Sequence, residues 1–175
     1  MQGLKTVIDE KEAIRRAAVQ VSELMVVAAK TAPKGRGIDN ITSIILVNRE
    51  EIEKLAAKME ELAAVHGDFF RRDASNARNS DAVVIIGCKI VDYGLKKSES
   101  MKVDPNVSIS LINLGIAVGS AVKVASMMNV DNRIMYTIGV AALELKMIDA
   151  DVALGIPLSI KAKNIYFDRI WPPPK

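Results

Sequence analysis

Apolar residues at Ile14, Ala17, Ala18, Val21, Leu24, Met25 and Ala28 recur at the i, i+3, i+4, i+7 spacing of an amphipathic helix running from Asp9 to about Ala29. Asp9 with Glu12 supplies its N-terminal cap. The pattern then changes period. Ile41 to Val47 is a short β-branched run, dense enough in apolar residues to read as an inner strand. A second helix opens at Asn48, capped with Glu51, carries the stripe Ile52, Leu55, Ala56, Met59, Leu62 and Ala63, and stops at Gly67. Phe69 to Ser80 reads as a short helix with both phenylalanines turned inward, and Ala82 to Gly87 as a second inner strand. Ser108 to Met128 is a long central helix with a smooth face of Gly115, Ala117, Gly119, Ser120, Ala121 and Ala125. Beyond it the pattern gives a third strand near Ile134 to Ile138, a short helix, a fourth strand near Val152 to Ile156, and an edge strand in KNIYFDR.

Strands separated by helices imply an α/β sandwich with a mixed sheet. At 175 residues, half of them hydrophobic, the chain suits one buried core. The domain is expected over 1–170, followed by a Pro-rich tail, 171–175. Aromatics are only 4% of residues, so Ala, Val, Ile, Leu and the eight Met must fill that core. The net charge of +3 does not point to nucleic acid, because 24 cations are interleaved with 21 acids and no basic run carries stacking aromatics. Leu111 to Met128 is apolar but contains Asn113 and Lys123 and is followed by Asn129, which predicts a buried helix of a soluble protein and no membrane span. The N-terminus lacks the apolar core of a signal peptide, and a single cysteine fits a reducing, cytoplasmic setting.

Candidate chemistry concentrates in TAPKGRGIDN, Thr31 to Asn40. Pro33 fixes φ, Gly35 and Gly37 permit conformations closed to other residues, and Lys34 and Arg36 stand beside them. Such a loop can turn main-chain N–H groups toward an anion. It can equally be a tight turn whose cations complement the negative end of the preceding helix. Cys88 follows a strand at the edge where open α/β sheets bind ligands, and otherwise reads as a small buried hydrophobe. His66 reads as a surface residue at a helix C-terminus. Asp39-Asn40 and Asp131-Asn132 both precede strands, as Asx turns do. The loop from Cys88 to Val107 is long enough to suggest a role of its own. Gly115 and Gly119 imply close packing against another helix or the sheet, in this chain or a second copy. Trp171, among three prolines, would cover a surface. Lys161, Lys163 and Arg169 could meet a phosphate or form a solvated face.

The segments TAPKGRGIDNI, GDFFRRDASNARNSDAVVIIG, NLGIAVGSAVKVASMMNVDNRIMY, GVAALEL and LGIPLSIKAKNIYFDR together resemble a prokaryotic family of ferredoxin-domain-containing proteins. The order of elements also resembles a reduced FMN-dependent nitroreductase-like fold: a mixed sheet of about four to five strands flanked by helices, with a long central small-residue helix. Ala32-Pro33-Lys34, Asn40 and a Gly155-Ile156-Pro157 turn hold the corresponding places. The second resemblance implies a homodimer with FMN at the subunit interface, in contact with a redox partner. It assigns Arg15, Arg16, Lys34, Arg36 and Lys163 to the phosphate, and Asn40 with backbone near Gly139 and Gly155 to the isoalloxazine, with Gly35 of the loop also cofactor-binding. The sequence departs from the first family where Gly94-Leu95 is followed by Lys96, Lys97, Ser98, Glu99 and Ser100 in place of its usual cysteines. Cys88 alone cannot supply the four thiolates of an iron–sulfur cluster, so no cluster is expected unless copies share one. Two rival readings remain open: a cofactor-free, partner-binding homodimer and, third, an iron–sulfur carrier.

Overall fold

The structure, a computed structural model, describes residues 7–167; Arg169, Trp171 and the Pro-rich tail lie outside them. Helix α1, Glu10–Thr31, begins where the Asp9 side chain accepts the Glu12 N–H. A short 3-10 turn, Gly35–Gly37, leads into β1, Ile41–Leu46. Helix α2, Arg49–His66, is capped by Asn48, whose side chain accepts the Glu50 N–H, and ends at Gly67 with φ 108°. Helix α3, Phe69–Arg78, and strand β2, Ala82–Cys88, follow. The long loop then delivers α4, Pro105–Met127, β3, Asp131–Asn132, α5, Tyr136–Glu144, and β4, Val152–Ser159.

The four strands lie in the order β1-β2-β4-β3, and every pair is antiparallel rather than mixed. β2 is buried at all seven positions. Its alternate residues Ala82, Val84, Ile86 and Cys88 face α1 and α4, while Val83 and Ile85 face α2, α3 and α5. That is a three-layer arrangement with helices on both faces. Ala18 and Ala29 of α1 meet Ala117, Ala121 and Ala125 of α4 in one core, where small side chains let the helices approach each other and the sheet. The other layer is tied by polar links: buried Asp73 of α3 accepts the Thr137 hydroxyl of α5 at 2.9 Å, and Arg78 bridges Glu53 and Glu60 of α2.

Several expectations from the sequence need correction. β1 is an edge strand, because four of its six residues are only half-buried. The third strand is not at Ile134 to Ile138: the run from Tyr136 is helix α5, and the strand is the two-residue β3 before it. A short apolar run does not distinguish a strand from a buried helix, and here Ala141 and Ala142 settle it as helix. Phe70 is buried, but Phe69 is exposed. The described part of KNIYFDR forms no strand; Tyr166 is instead fully buried against Ser80, 2.8 Å from its hydroxyl. Gly155-Ile156-Pro157 is not a turn but the middle of β4. Pro157 is tolerated there because Gly155 exchanges both main-chain bonds with Met135, which puts the proline nitrogen two residues on toward the short β3 side.

Candidate functional site

The loop from Thr31 to Asn40 is built from the inside. The Lys34 side chain is only 6% exposed, and its ammonium donates to the carbonyls of Ala29, Lys30 and Ala32 at 3.3, 2.7 and 2.9 Å. Those are C-terminal carbonyls of α1 and its cap, which carry the negative end of the helix dipole. Gly37 N–H returns to Lys34 O, and Ile38 N–H to Gly35 O. Gly35 N–H donates to the Asn113 side chain on α4 at 3.0 Å. Three main-chain donors that could have cradled an anion are therefore turned inward.

The glycines act differently from one another. Gly37 takes φ 69°, the left-handed region where a β-carbon is costly. Gly35 does not; a Cβ there would lie 2.6 Å from Ile109 of α4, so it serves a close approach. The residue between them, Arg36, takes φ 54° despite its side chain. Its Nη1 donates to Tyr93 O at 2.6 Å, pinning the long loop.

Behind this turn lies a buried amide network that the sequence pattern did not reveal. The Asn113 amide donates to Asn40 Oδ1 at 3.1 Å and the Tyr93 hydroxyl at 2.8 Å, and Asn40 in turn donates to Lys89 O at 2.8 Å. One residue on α4 thus joins α1's exit loop, the start of β1 and the loop after β2. The available signal was a polar residue inside an apolar helix, since Asn113 interrupts an otherwise hydrophobic run. Ser110 and Asn106 continue the link by accepting the N–H groups of Val91 and of Tyr93 and Leu95.

The other sequence-selected residues are dispersed. Arg15 and Arg16 sit near the N-terminus of α1 and both bond Glu12, whose carboxyl they hold down at about 2. About 24 Å of helix separates Arg15 from Thr31. Gly139 and Gly155 meet across the α5–β4 contact: a Cβ on Gly139 would fall 1.8 Å from the Ala153 carbonyl oxygen, and one on Gly155 would fall 1.9 Å from Ile138. Lys161 donates to Asn79 O at 2.6 Å, and Lys163 is exposed just beyond it. His66 is exposed and stacks on Phe70. Asp39 accepts the Ile41 N–H at the Asx-turn spacing and pairs with Lys30, which holds its carboxyl below the usual carboxylate pKa. Asp131 and Asn132, the matching pair, form β3 itself.

Cys88 is buried at the end of β2. Burial, with the Asp151 carboxylate nearby, pushes its thiol up to about 11. At pH 8 it is therefore a neutral thiol, and a thiol-disulfide reagent is expected to leave it unmodified until the protein unfolds. Fast modification of the native protein at pH 8 would show that Cys88 is reached from solvent. Because ionisation is easier in the unfolded chain, its contribution to stability is present below pH 9 and is lost as pH rises from about 9 to 11. Among the described residues, no three His, Cys, Asp or Glu side chains converge as metal ligands.

Residues 103–169 match the family described as uncharacterized proteins containing a ferredoxin domain (DUF2148). An uncharacterized protein of Archaeoglobus fulgidus is 43% identical over 178 residues, covering 91% of this chain and 94% of its own length. The chain belongs to this family. Its fold is nitroreductase-like. A putative NADH dehydrogenase/NAD(P)H nitroreductase of Bacteroides thetaiotaomicron aligns over 91% of this chain and 79% of its own, with a TM-score of 0.57 and 11% identity. An NADPH:FMN oxidoreductase of Vibrio harveyi aligns over 83% of this chain with a TM-score of 0.55 and 14% identity. This chain spans only 60% of that protein's length. At such identities the likeness shows the fold alone.

Proposed function

We propose that this family member binds FMN and takes part in electron transfer as a cytoplasmic homodimer, meeting a redox partner. The observation that carries this reading is the fold, shared over 83% to 91% of the chain with proteins named as nitroreductases and an NADPH:FMN oxidoreductase. When bound, the flavin supplies the redox chemistry, and the protein binds and orients it. Within the chain, Arg36 supports the reading. It is an exposed arginine held in the left-handed region between two glycines, a local strain of the kind found at ligand-facing positions. One guanidinium bond goes to Tyr93, and a guanidinium carries five donors.

The length of α1 constrains how the site is composed. Arg15 and Arg16 stand near one end and Lys34 and Arg36 beyond the other, so a single phosphate cannot touch both sets in one protomer. Both serve one flavin only when they come from two protomers: Arg15, Arg16 and Lys163 on the phosphate from one, and Arg36 beside Gly37 from the other. Lys34, Gly35 and Asn40 shape the loop from within, and Gly139 and Gly155 set the wall of the α5–β4 contact. The homodimer follows from the same requirement.

FMN titration of the purified protein tests the reading. Uptake at micromolar concentration, weakened tenfold or more in Arg15→Ala/Arg16→Ala, is expected. A colourless protein with no uptake overturns it. Lys34→Ala/Arg36→Ala divides the loop: flavin affinity and stability both unchanged would remove it from the site. The second reading, a cofactor-free partner-binding dimer, is favoured by the inward-turned loop donors; a colourless protein that remains dimeric would establish it. The third, an iron–sulfur carrier, needs thiolates from several copies, and Cys88 is a buried neutral thiol.

A further inference from the structure

Where the middle of α1 meets the C-terminal end of α4, the two helices leave a groove of about 320 Å³ between them. Ala17 and Ile160 line it, Val21 and Val130 are buried in it, and Leu24 and Met128 stand 41% and 52% exposed at its rim. Gln20 and Asn129 line it too, and among the described residues neither side-chain amide makes a hydrogen bond. An apolar hollow beside two spare amides suits an occupant with a large apolar body and one polar tip. The chain itself is led to this place. Tyr166 is buried with α2, α3 and α5 on one face of the sheet. One residue later, Phe167 lines a cavity of about 430 Å³ with Ser126, Asn129 and Val130 at the end of α4. The chain has thus rounded the β3 edge of the sheet and come beside Asn129 and Val130, which the cavity and the groove share.

We infer that Ile170 and Trp171, which lie beyond the described residues, occupy this groove in their own chain, with the indole N–H on the Gln20 or Asn129 amide. The two residues follow Phe167 by three and four positions, a reach of roughly 10–14 Å. The indole is the one side chain of the segment with a large apolar body and a single donor, which is what the groove and its amides fit. Pro172, Pro173 and Pro174 have no N–H, so the backbone after it crosses a helix surface without leaving donors unpaired. So short a tether keeps the indole beside its own groove at high effective concentration, which favours this occupant over a second copy. The contact would close the open end of the α1–α4 pair. Asn113 ties α4 to the turn after α1 at the other end, through Gly35. Among the described residues no side-chain hydrogen bond joins Ala17–Leu24 to Met128–Val130. The inference stands whether or not a flavin binds.

Trp171 is the single tryptophan, so its fluorescence reads the groove directly in the full chain. Its emission is expected to lie to the blue of free tryptophan and to resist acrylamide. Leu24→Lys and Met128→Lys, both at exposed positions, should each shift the emission to the red and raise acrylamide quenching several-fold with circular dichroism unchanged. A wild-type spectrum like that of free tryptophan overturns the inference. So does a blue spectrum that neither substitution moves, since the indole would then be buried elsewhere. Refolding Leu24→Lys together with Trp171→Ala separates the two occupants: the first keeps the indole with an altered groove, the second an intact groove without the indole. The mixture is expected to stay red, and a return of blue emission would put the indole in a second copy's groove. Hydrogen exchange supplies a further readout, in which Trp171→Ala should quicken the α1 amides from Ala17 to Leu24. Unchanged exchange there would mean that nothing was lost from the groove, and would also overturn the inference.

Discussion

Gly139→Ala is expected to lower the unfolding free energy by about 3 kcal/mol or more, read as a fall in the urea midpoint. The added methyl would lie 1.8 Å from the Ala153 carbonyl oxygen and 2.4 Å from its carbon. Neither is the end of a flexible side chain. Relief requires moving α5 away from β4, and that contact includes the paired main-chain bonds between Met135 and Gly155. Gly155→Ala meets the same interface from the other side, against Ile138. Gly115→Ala, by contrast, meets open space and should make the chain more stable by about 0.5–1 kcal/mol. The result also bears on the flavin assignment. If Gly139 chiefly gave its backbone to a ligand, Gly139→Ala would fold normally and lose FMN; loss of stability without ligand identifies packing as its role.

This contrast explains what the sequence could and could not disclose. Helices α1 and α2 are legible because each has an apolar stripe at helical period and a side-chain cap, at Asp9 and Asn48, that acts locally. β2 is legible because a strand covered on both faces must be apolar throughout. α5 is not, since its apolar run is as short as a strand and its identity depends on fitting Gly139 against β4. The candidate loop was legible as a conformational oddity, and Gly37 and Arg36 do adopt left-handed backbone. The direction of its polar groups was hidden. Lys34 turns back to α1's carbonyls, and Gly35 N–H finds a residue 78 positions away. Such partners are set by tertiary placement, which local spacing does not encode. Helix α4 shows the same limit: Leu111 to Met128 reads as a buried helix, and only the fold shows that one of its faces has no cover within the chain.

Asn113→Leu is expected to cost about 3 kcal/mol and to loosen the long loop first. The substitution keeps the volume roughly unchanged but leaves the Gly35 N–H, Asn40 Oδ1 and Tyr93 hydroxyl without the partner they share. Removing one side of a buried hydrogen bond costs about 1–3 kcal/mol per stranded group, more than the bond itself contributes. Tyr93→Phe removes only one arm and should cost about 1 kcal/mol. The two differ in reach as well as size. Asn113 holds the turn before β1 and the loop after β2 to the same point on α4, so its loss frees both. The readout is trypsin cleavage after Lys96 and Lys97, on the exposed loop beyond Gly94. It should quicken in Asn113→Leu well before global unfolding and change little in Tyr93→Phe, where Asn106 still accepts the N–H groups of Tyr93 and Leu95. Equal cleavage rates in the wild type and Asn113→Leu would mean that Asn106 and Ser110 suffice to hold the loop. If Arg36 meets a flavin, the same variant should also weaken FMN uptake without touching any flavin contact, because Asn113 positions the turn that carries Arg36.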